Sequence, residues 1–286
     1  MTSVLSTSAL AANKLAFLGT GSMNGAVLRG IIATGYDPAA IVATLRSDAK
    51  AQALRAETGV TVLIGAQDPQ SNAKAVKDAD IVFLGVKPVG IAALCDEIRD
   101  ALKPTAVVVS VAAAITIDMI AAHLSPGQPV VRSMPNTPLQ VGLGAVGLSA
   151  GPTVSEAALA TVVDLFAGSG VVHVVPESQQ DAVSAISGSG PAYAFYLAEA
   201  MAAAGVKLGL DPALATDLAR ATVAGAGKML AEPQADPSAL RQGVSSPNGT
   251  TVQALAVFEA EDLPGIVARG AAAAAARAAE ITGELA

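Results

Sequence analysis

Short apolar runs recur between Lys14 and Pro176, each bounded by turn residues. They lie at Leu15–Leu18, Ile41–Thr44, Val60–Leu63, Ile81–Gly85, Val107–Val111 and Val130–Arg132. Unbroken apolarity, rather than in-out alternation, marks strands buried on both faces, as in a parallel sheet covered by helices. Two further runs, Ala145–Leu148 and Val171–Val175, flank a helix expected to open on a capping box of Thr153 and Glu156. Strands alternating with helical segments predict an α/β fold with an open, doubly wound sheet.

After Pro176 the pattern turns helical. Pro191 follows Gly190 as a first-turn proline, and Asp211–Pro212 and Asp236–Pro237 pair an N-cap with a first-turn proline. The intervening segments are rich in Ala, Leu and Val, down to the run Ala271–Ala276. Small residues let helices approach closely, as interleaved subunits would require, although high helix propensity alone accounts for the alanine run. The chain is thus expected to divide near Glu177, into residues 13–176 and an all-helical 177–286.

Composition narrows the possibilities. The 286 residues are 52% hydrophobic and 14% charged, with no Trp, and mean hydropathy is +0.53. The longest uncharged run, between Arg132 and Glu156, is interrupted by Pro135, Pro138, Pro152 and several glycines. No apolar run reaches the roughly 18 residues of a spanning helix, so no membrane role is expected. A net charge of −7 argues against nucleic acid and anionic membrane as partners. Cys95 is the single cysteine and cannot form an internal disulfide; its apolar helical setting suggests core packing. Two histidines, His123 and His173, do not make a metal site and are read as structural. Residues 1–12 lack the positive charge and apolar core of a signal peptide, so they read as a frayed tail on a cytoplasmic protein.

Chemistry enters at the end of the first strand, where Gly19-Thr20-Gly21-Ser22-Met23-Asn24-Gly25-Ala26 lies between strand and helix. Two glycines allow a tight turn and close approach of backbone to a pyrophosphate, which then faces free N–H groups at the helix start. The next strand usually ends in Asp or Glu when the dinucleotide is NAD. Here it ends Leu45-Arg46-Ser47, where a guanidinium and a hydroxyl suit a 2′-phosphate. NADPH is therefore expected over NADH. Two more segments, Ser187–Tyr193 and Ser245–Thr251, place small and hydroxyl residues before helices. Together they suit a small carboxylate; read more plainly, each is an N-cap loop.

In order and spacing, the Gly19–Ala26 loop, Gly85–Pro88, Ser110–Ala113, Arg132–Pro138, Gly188–Tyr193, Gly205–Leu210 and Ser245–Thr251 resemble the pyrroline-5-carboxylate reductases, over nearly the whole chain from Lys14. The resemblance implies a Rossmann-type dinucleotide-binding domain followed by a helical domain that dimerises by interleaving, often with dimers assembled into a ring. It implies hydride transfer from NADPH to a cyclic imine, completing proline biosynthesis, with NADH a weaker donor. It places Leu18, Gly19, Thr20, Gly21, Ser22 and Met23 at the pyrophosphate, and Ser47 beside Arg46 at the 2′-phosphate. Asn72 falls at the adenosine ribose, and Val86, Lys87, Pro88, Ala112 and Ala113 at the nicotinamide half. Glu177, Ser246, Gly249, Thr250 and Thr251 fall at the substrate, with the Thr251 hydroxyl on the ring nitrogen as the catalytic contact. Two departures stand out. Asn248 replaces the first glycine of Ser-Pro-Gly-Gly, where Asn tolerates a left-handed turn, and Ala114 replaces the glycine of Ala-Ala-Gly. A β-hydroxyacid dehydrogenase of the same plan would rely on a catalytic lysine. Only Lys207 and Lys228 follow Glu177, and Lys207 sits within a matching stretch. A non-enzymatic dinucleotide sensor would have no use for the Ser245–Thr251 loop.

Overall fold

In the computed structural model of the chain, residues 13–285 are described; the expected tail, residues 1–12, lies outside them. The eight strands are β1 (Leu15–Leu18), β2 (Ile41–Leu45), β3 (Thr61–Ile64), β4 (Ile81–Leu84), β5 (Val107–Ser110), β6 (Val130–Met134), β7 (Gly144–Ala150) and β8 (Gly170–Val174). They form one sheet in the order β3-β2-β1-β4-β5-β6-β7-β8. Every pairing is parallel except β6 with β7. That reversal follows from the connection: a short 3₁₀ turn, Thr137–Val141, joins β6 to β7 without the crossover a parallel pair needs.

Helices α1 (Ser22–Ala33), α2 (Asp48–Thr58), α3 (Ser71–Val76), α4 (Ile91–Ile98), α5 (Ile117–Ala121) and α6 (Glu156–Ala167) link the strands. The central strands are buried throughout, as expected of strands covered on both faces. Phe17 on β1 stacks on Phe83 of β4 at 4.4 Å, and Phe83 meets Phe166 of α6 edge-on at 5.8 Å. β8 departs from that pattern: it is an edge strand, and Val171 and Val174 are exposed. The cap of α6 also differs from expectation. Ser155, not Thr153, accepts the N–H of Ala158, while the Thr153 hydroxyl is drawn off to the Gln128 carbonyl at 3.1 Å.

Beyond Pro176 the described residues are helical: α7 (Gln180–Val183), a π-helical turn Ser184–Gly188, α8 (Gly190–Lys207), α9 (Pro212–Leu230), α10 (Pro237–Gly243), α11 (Thr250–Ala260) and α12 (Leu263–Leu285). Asp211 and Asp236 cap α9 and α10 as expected. The chain packs as two compact units. One runs to Gly188 and takes back the end of α12 from Ala275; the other is Ser189–Ala274. No helix among the described residues is long and apolar enough to cross a membrane.

The second unit is short of interior. Its α8 and α9 pack closely, since a β-carbon on Gly205 would lie 3.1 Å from Ala215 Cβ. Yet Ala215 and Ala219 are its only buried apolar residues among those described, while Phe195, Tyr196, Leu208, Leu218 and Phe258 are exposed. An apolar surface of that extent calls for a protein partner.

Candidate active site

The sheet order reverses between β1 and β4, so a crevice opens outside their carboxyl ends. The loop leaving β1 is fixed to its neighbours. The Gly19 N–H donates to Thr44 Oγ1 at 3.1 Å, Thr20 N–H donates to the Thr44 carbonyl at 3.0 Å, and the Thr20 hydroxyl donates to the Phe17 carbonyl at 3.1 Å. Gly19 has φ +69°, and a β-carbon there would stand 2.7 Å from Val86 Cγ1. Gly21 caps α1 without a side chain, leaving first-turn N–H groups open to an anion.

Asn24, inside the glycine motif, was not singled out from sequence as a site residue. It is buried, and its Nδ2 donates to the carbonyls of Leu18 at 3.1 Å and Phe83 at 3.3 Å, tying β1 to β4 where the crevice opens. Its Oδ1 is buried with no partner among the described residues. The available signal was its place on the apolar stripe of α1 with Val27, Leu28 and Ile31, all buried.

A cleft of about 730 Å³ gathers much of the expected cofactor set: Gly19, Gly21, Arg46, Ser47, Asn72, Val86 and Lys87. Arg46 is exposed and forms no ion pair among the described residues, and Ser47 precedes α2 without spending its hydroxyl on a cap. Lys50, one turn into α2, is a second unpaired cation in the same cleft that the sequence reading missed; its signal was the four-residue spacing from Arg46. Asn72 donates to Glu97 Oε2 at 3.1 Å. Thr20 and Ser22 line an adjoining cleft that shares Gly21 and Lys50. Leu18 is buried under the loop, and Met23 packs against the core. Pro88, Ala112 and Ala113 lie outside the large cleft, at the ends of β4 and β5; Ala112 N–H is held by Ser110 Oγ at 3.2 Å.

Glu177 belongs to the first unit. Its Oε1 accepts the Ile117 N–H at 2.8 Å and pairs with the buried Arg132 at 3.2 Å, and Arg132 also reaches Asp181 at 3.5 Å. Within the same motif Asn136 donates to the Ser187 carbonyl and accepts the Ala145 N–H, so the Arg132–Pro138 stretch braces the turns around it. His123 lies 3.1 Å from both carboxylate oxygens of Asp96.

The hydroxyl loop lies in the second unit. Gly249 precedes α11 with no side-chain cap, and Thr250 and Thr251 are its first residues. A β-carbon on Gly249 would fall 2.5 Å from Ser246 Oγ, so the loop closes on itself only with glycine there. Asn248 has φ +60°, the left-handed turn expected of it.

These features fit a phosphorylated dinucleotide: a glycine cradle that a β-carbon would fill, an uncapped helix start, and two unpaired cations at the end of β2. Fold and site together define a dinucleotide-dependent oxidoreductase of the NADP type carrying a helical second domain. The family model for pyrroline-5-carboxylate reductase dimerisation matches residues 177–281, and one described as NADP oxidoreductase coenzyme F420-dependent matches residues 14–114. The chain is 39% identical to the pyrroline-5-carboxylate reductase of Pseudomonas aeruginosa over 273 residues, 95% of this chain and 98% of that one. Among solved structures, that of a pyrroline-5-carboxylate reductase from Coxiella burnetii aligns with a TM-score of 0.87 at 38% identity, covering 94% and 98% of the two chains. The pyrroline carboxylate reductase of Plasmodium falciparum, solved with NADP bound, aligns at 0.80 with 25% identity, covering 95% and 99%. The chain belongs to the pyrroline-5-carboxylate reductase family.

Proposed function

We propose that the protein reduces 1-pyrroline-5-carboxylate to L-proline with NADPH, the last step of proline biosynthesis, with NADH a weaker donor. The observation that carries this reading is the presence, in one chain of this family, of a dinucleotide cleft lined by Arg46, Lys50 and Lys87, none in an ion pair among the described residues, and of an uncapped Ser/Thr helix start.

The chemistry asks little of the side chains. A cyclic imine protonated on nitrogen is already electrophilic at the adjacent carbon, and bound NADPH supplies the hydride. The chain's task is orientation and electrostatics. Gly19, Gly21 and the start of α1 hold the pyrophosphate, with Leu18, Thr20, Ser22 and Met23 shaping the loop. Arg46, Ser47 and Lys50 hold the 2′-phosphate by charge-assisted hydrogen bonds. Asn72 serves the adenosine ribose, and Val86, Lys87, Pro88, Ala112 and Ala113 the nicotinamide half. Ser246, Gly249 and Thr250 offer hydroxyls and N–H groups to the substrate carboxylate. The Thr251 hydroxyl donates to the product amine or accepts from the iminium. Glu177, expected at the substrate, fixes Arg132 and the first turn of α5.

In this reading residues 13–176 bind NADP and residues 177–286 bind substrate and dimerise. The family's dimerisation domain makes the protein an oligomer, and the exposed apolar helices support a homodimer, with a ring of dimers as the larger assembly. A cytoplasmic location accords with a lone, buried thiol. The test is product analysis: purified protein with NADPH and pyrroline-5-carboxylate should yield L-proline, and its absence refutes the activity.

A further inference from the structure

The turn after β5 carries a left-handed residue that is not glycine. Ala114 has φ +62° and is buried. An L side chain persists there only where its surroundings over-determine the backbone. One source of that constraint comes from the far end of the chain. Thr282 Oγ1 lies 2.9 Å from the Ala114 carbonyl and 3.1 Å from the Ala278 carbonyl of its own helix. With one proton to give, the hydroxyl either bonds back within α12 or crosses to the turn.

The end of α12 is laced along its own surface and packs toward the turn. Arg277 pairs with Glu280 at 3.0 Å and with Glu284 at 2.7 Å. Leu285 packs against the buried cluster containing Ala112, Ile115 and Ile117. It lines a groove of about 400 Å³ with Val89 and Ile115, and Val89 also borders the cofactor cleft.

We infer that Thr282 is a positioning residue for the cofactor: by holding the Ala114 carbonyl it keeps the Ala112–Ala113 turn in the shape that receives the nicotinamide half of NADPH. The inference rests on the assignment of Ala112 and Ala113 made under the proposed function. Without the contact, Ala114 relaxes toward negative φ and re-aims the two residues before it. Cofactor binding should weaken while the rest of the fold stays intact.

The experiment is NADPH titration by fluorescence, with steady-state kinetics, on wild type, Thr282→Val and Thr282→Ser. Valine keeps the methyl contacts and loses the donor; serine does the opposite. Thr282→Val should raise both the Kd and KM for NADPH about 3- to 10-fold, the worth of one net hydrogen bond, with Thr282→Ser near wild type. Wild-type NADPH binding in Thr282→Val, or a serine variant weaker than the valine one, overturns the inference. A lower melting temperature with unchanged KM does so too, because it assigns Thr282 a packing role only. If Thr282→Val is too unstable to assay, the double variant Ala114→Gly/Thr282→Val decides. Glycine takes the left-handed geometry unaided, so the double variant should bind NADPH about as wild type does, and weak binding there overturns the inference. Failure of wild type itself to bind NADPH would instead refute the underlying cofactor reading.

Discussion

Gly19 and Val86 meet with no space between them: a β-carbon on the glycine would lie 2.7 Å from Val86 Cγ1. The loops above β1 and β4 thus close on each other at the point where the proposed function puts the pyrophosphate. Gly19→Ala adds both that overlap and a left-handed penalty of about 1–2 kcal/mol. NADPH affinity should fall about 10-fold or more, with the circular dichroism spectrum unchanged. Wild-type affinity would remove this loop from the cofactor site.

In the proposed function, the charge at the end of β2 sets cofactor preference. Arg46→Glu replaces an attractive contact with a repulsive one, and hydrogen bonds to charged groups contribute about 1.5–3 kcal/mol each. The expected result is a 10- to 100-fold loss of kcat/KM for NADPH and little change for NADH. Lys50→Glu should act in the same direction. An unchanged NADPH/NADH ratio in both variants would contradict the 2′-phosphate assignment.

Thr251 is the second residue of α11, in a first turn that no side chain caps. Thr251→Val keeps the shape and deletes one positioned hydrogen bond, so turnover should drop by about one to two orders of magnitude. Full turnover in the purified variant would reassign the ring-nitrogen contact.

Burial pushes the Cys95 thiol up to about 12, with a smaller contribution from Asp96, and burial together with Asp80 raises the Tyr36 hydroxyl to about 12. Both groups are neutral in the folded state, and both ionise more readily once unfolded, at about 8.5 and 10. Their contribution to stability is therefore intact below those values and lost as pH rises through them toward about 12. Melting temperature should hold from neutral pH to mildly alkaline conditions and then decline. Cys95 should resist thiol reagents until the protein unfolds. Rapid labelling of native protein at neutral pH would show that the thiol is accessible.

The strands were legible because strands covered on both faces are apolar throughout, and the helix starts because Asp–Pro and Gly–Pro pairs act locally. Asn248 was readable for the same reason, since left-handed tolerance belongs to the residue itself. The antiparallel β7 was not, because it depends on the missing crossover between β6 and β7 rather than on either strand's composition. Asn24 escaped notice because its partners, the carbonyls of Leu18 and Phe83, are backbone groups that no side-chain pattern records. Ser155 displaced Thr153 as the cap of α6 once Gln128 offered Thr153 another acceptor. The tie from Thr282 to Ala114 spans 168 positions in the chain and leaves no trace in local sequence.

The most direct test of the account is the initial rate of NADPH oxidation by purified protein with pyrroline-5-carboxylate, set beside a panel of β-hydroxy and keto acids with the matching cofactor form. Rapid oxidation with the cyclic imine, matched mole for mole by L-proline, is the predicted result. Inertness toward the imine together with turnover of a hydroxy or keto acid would contradict it.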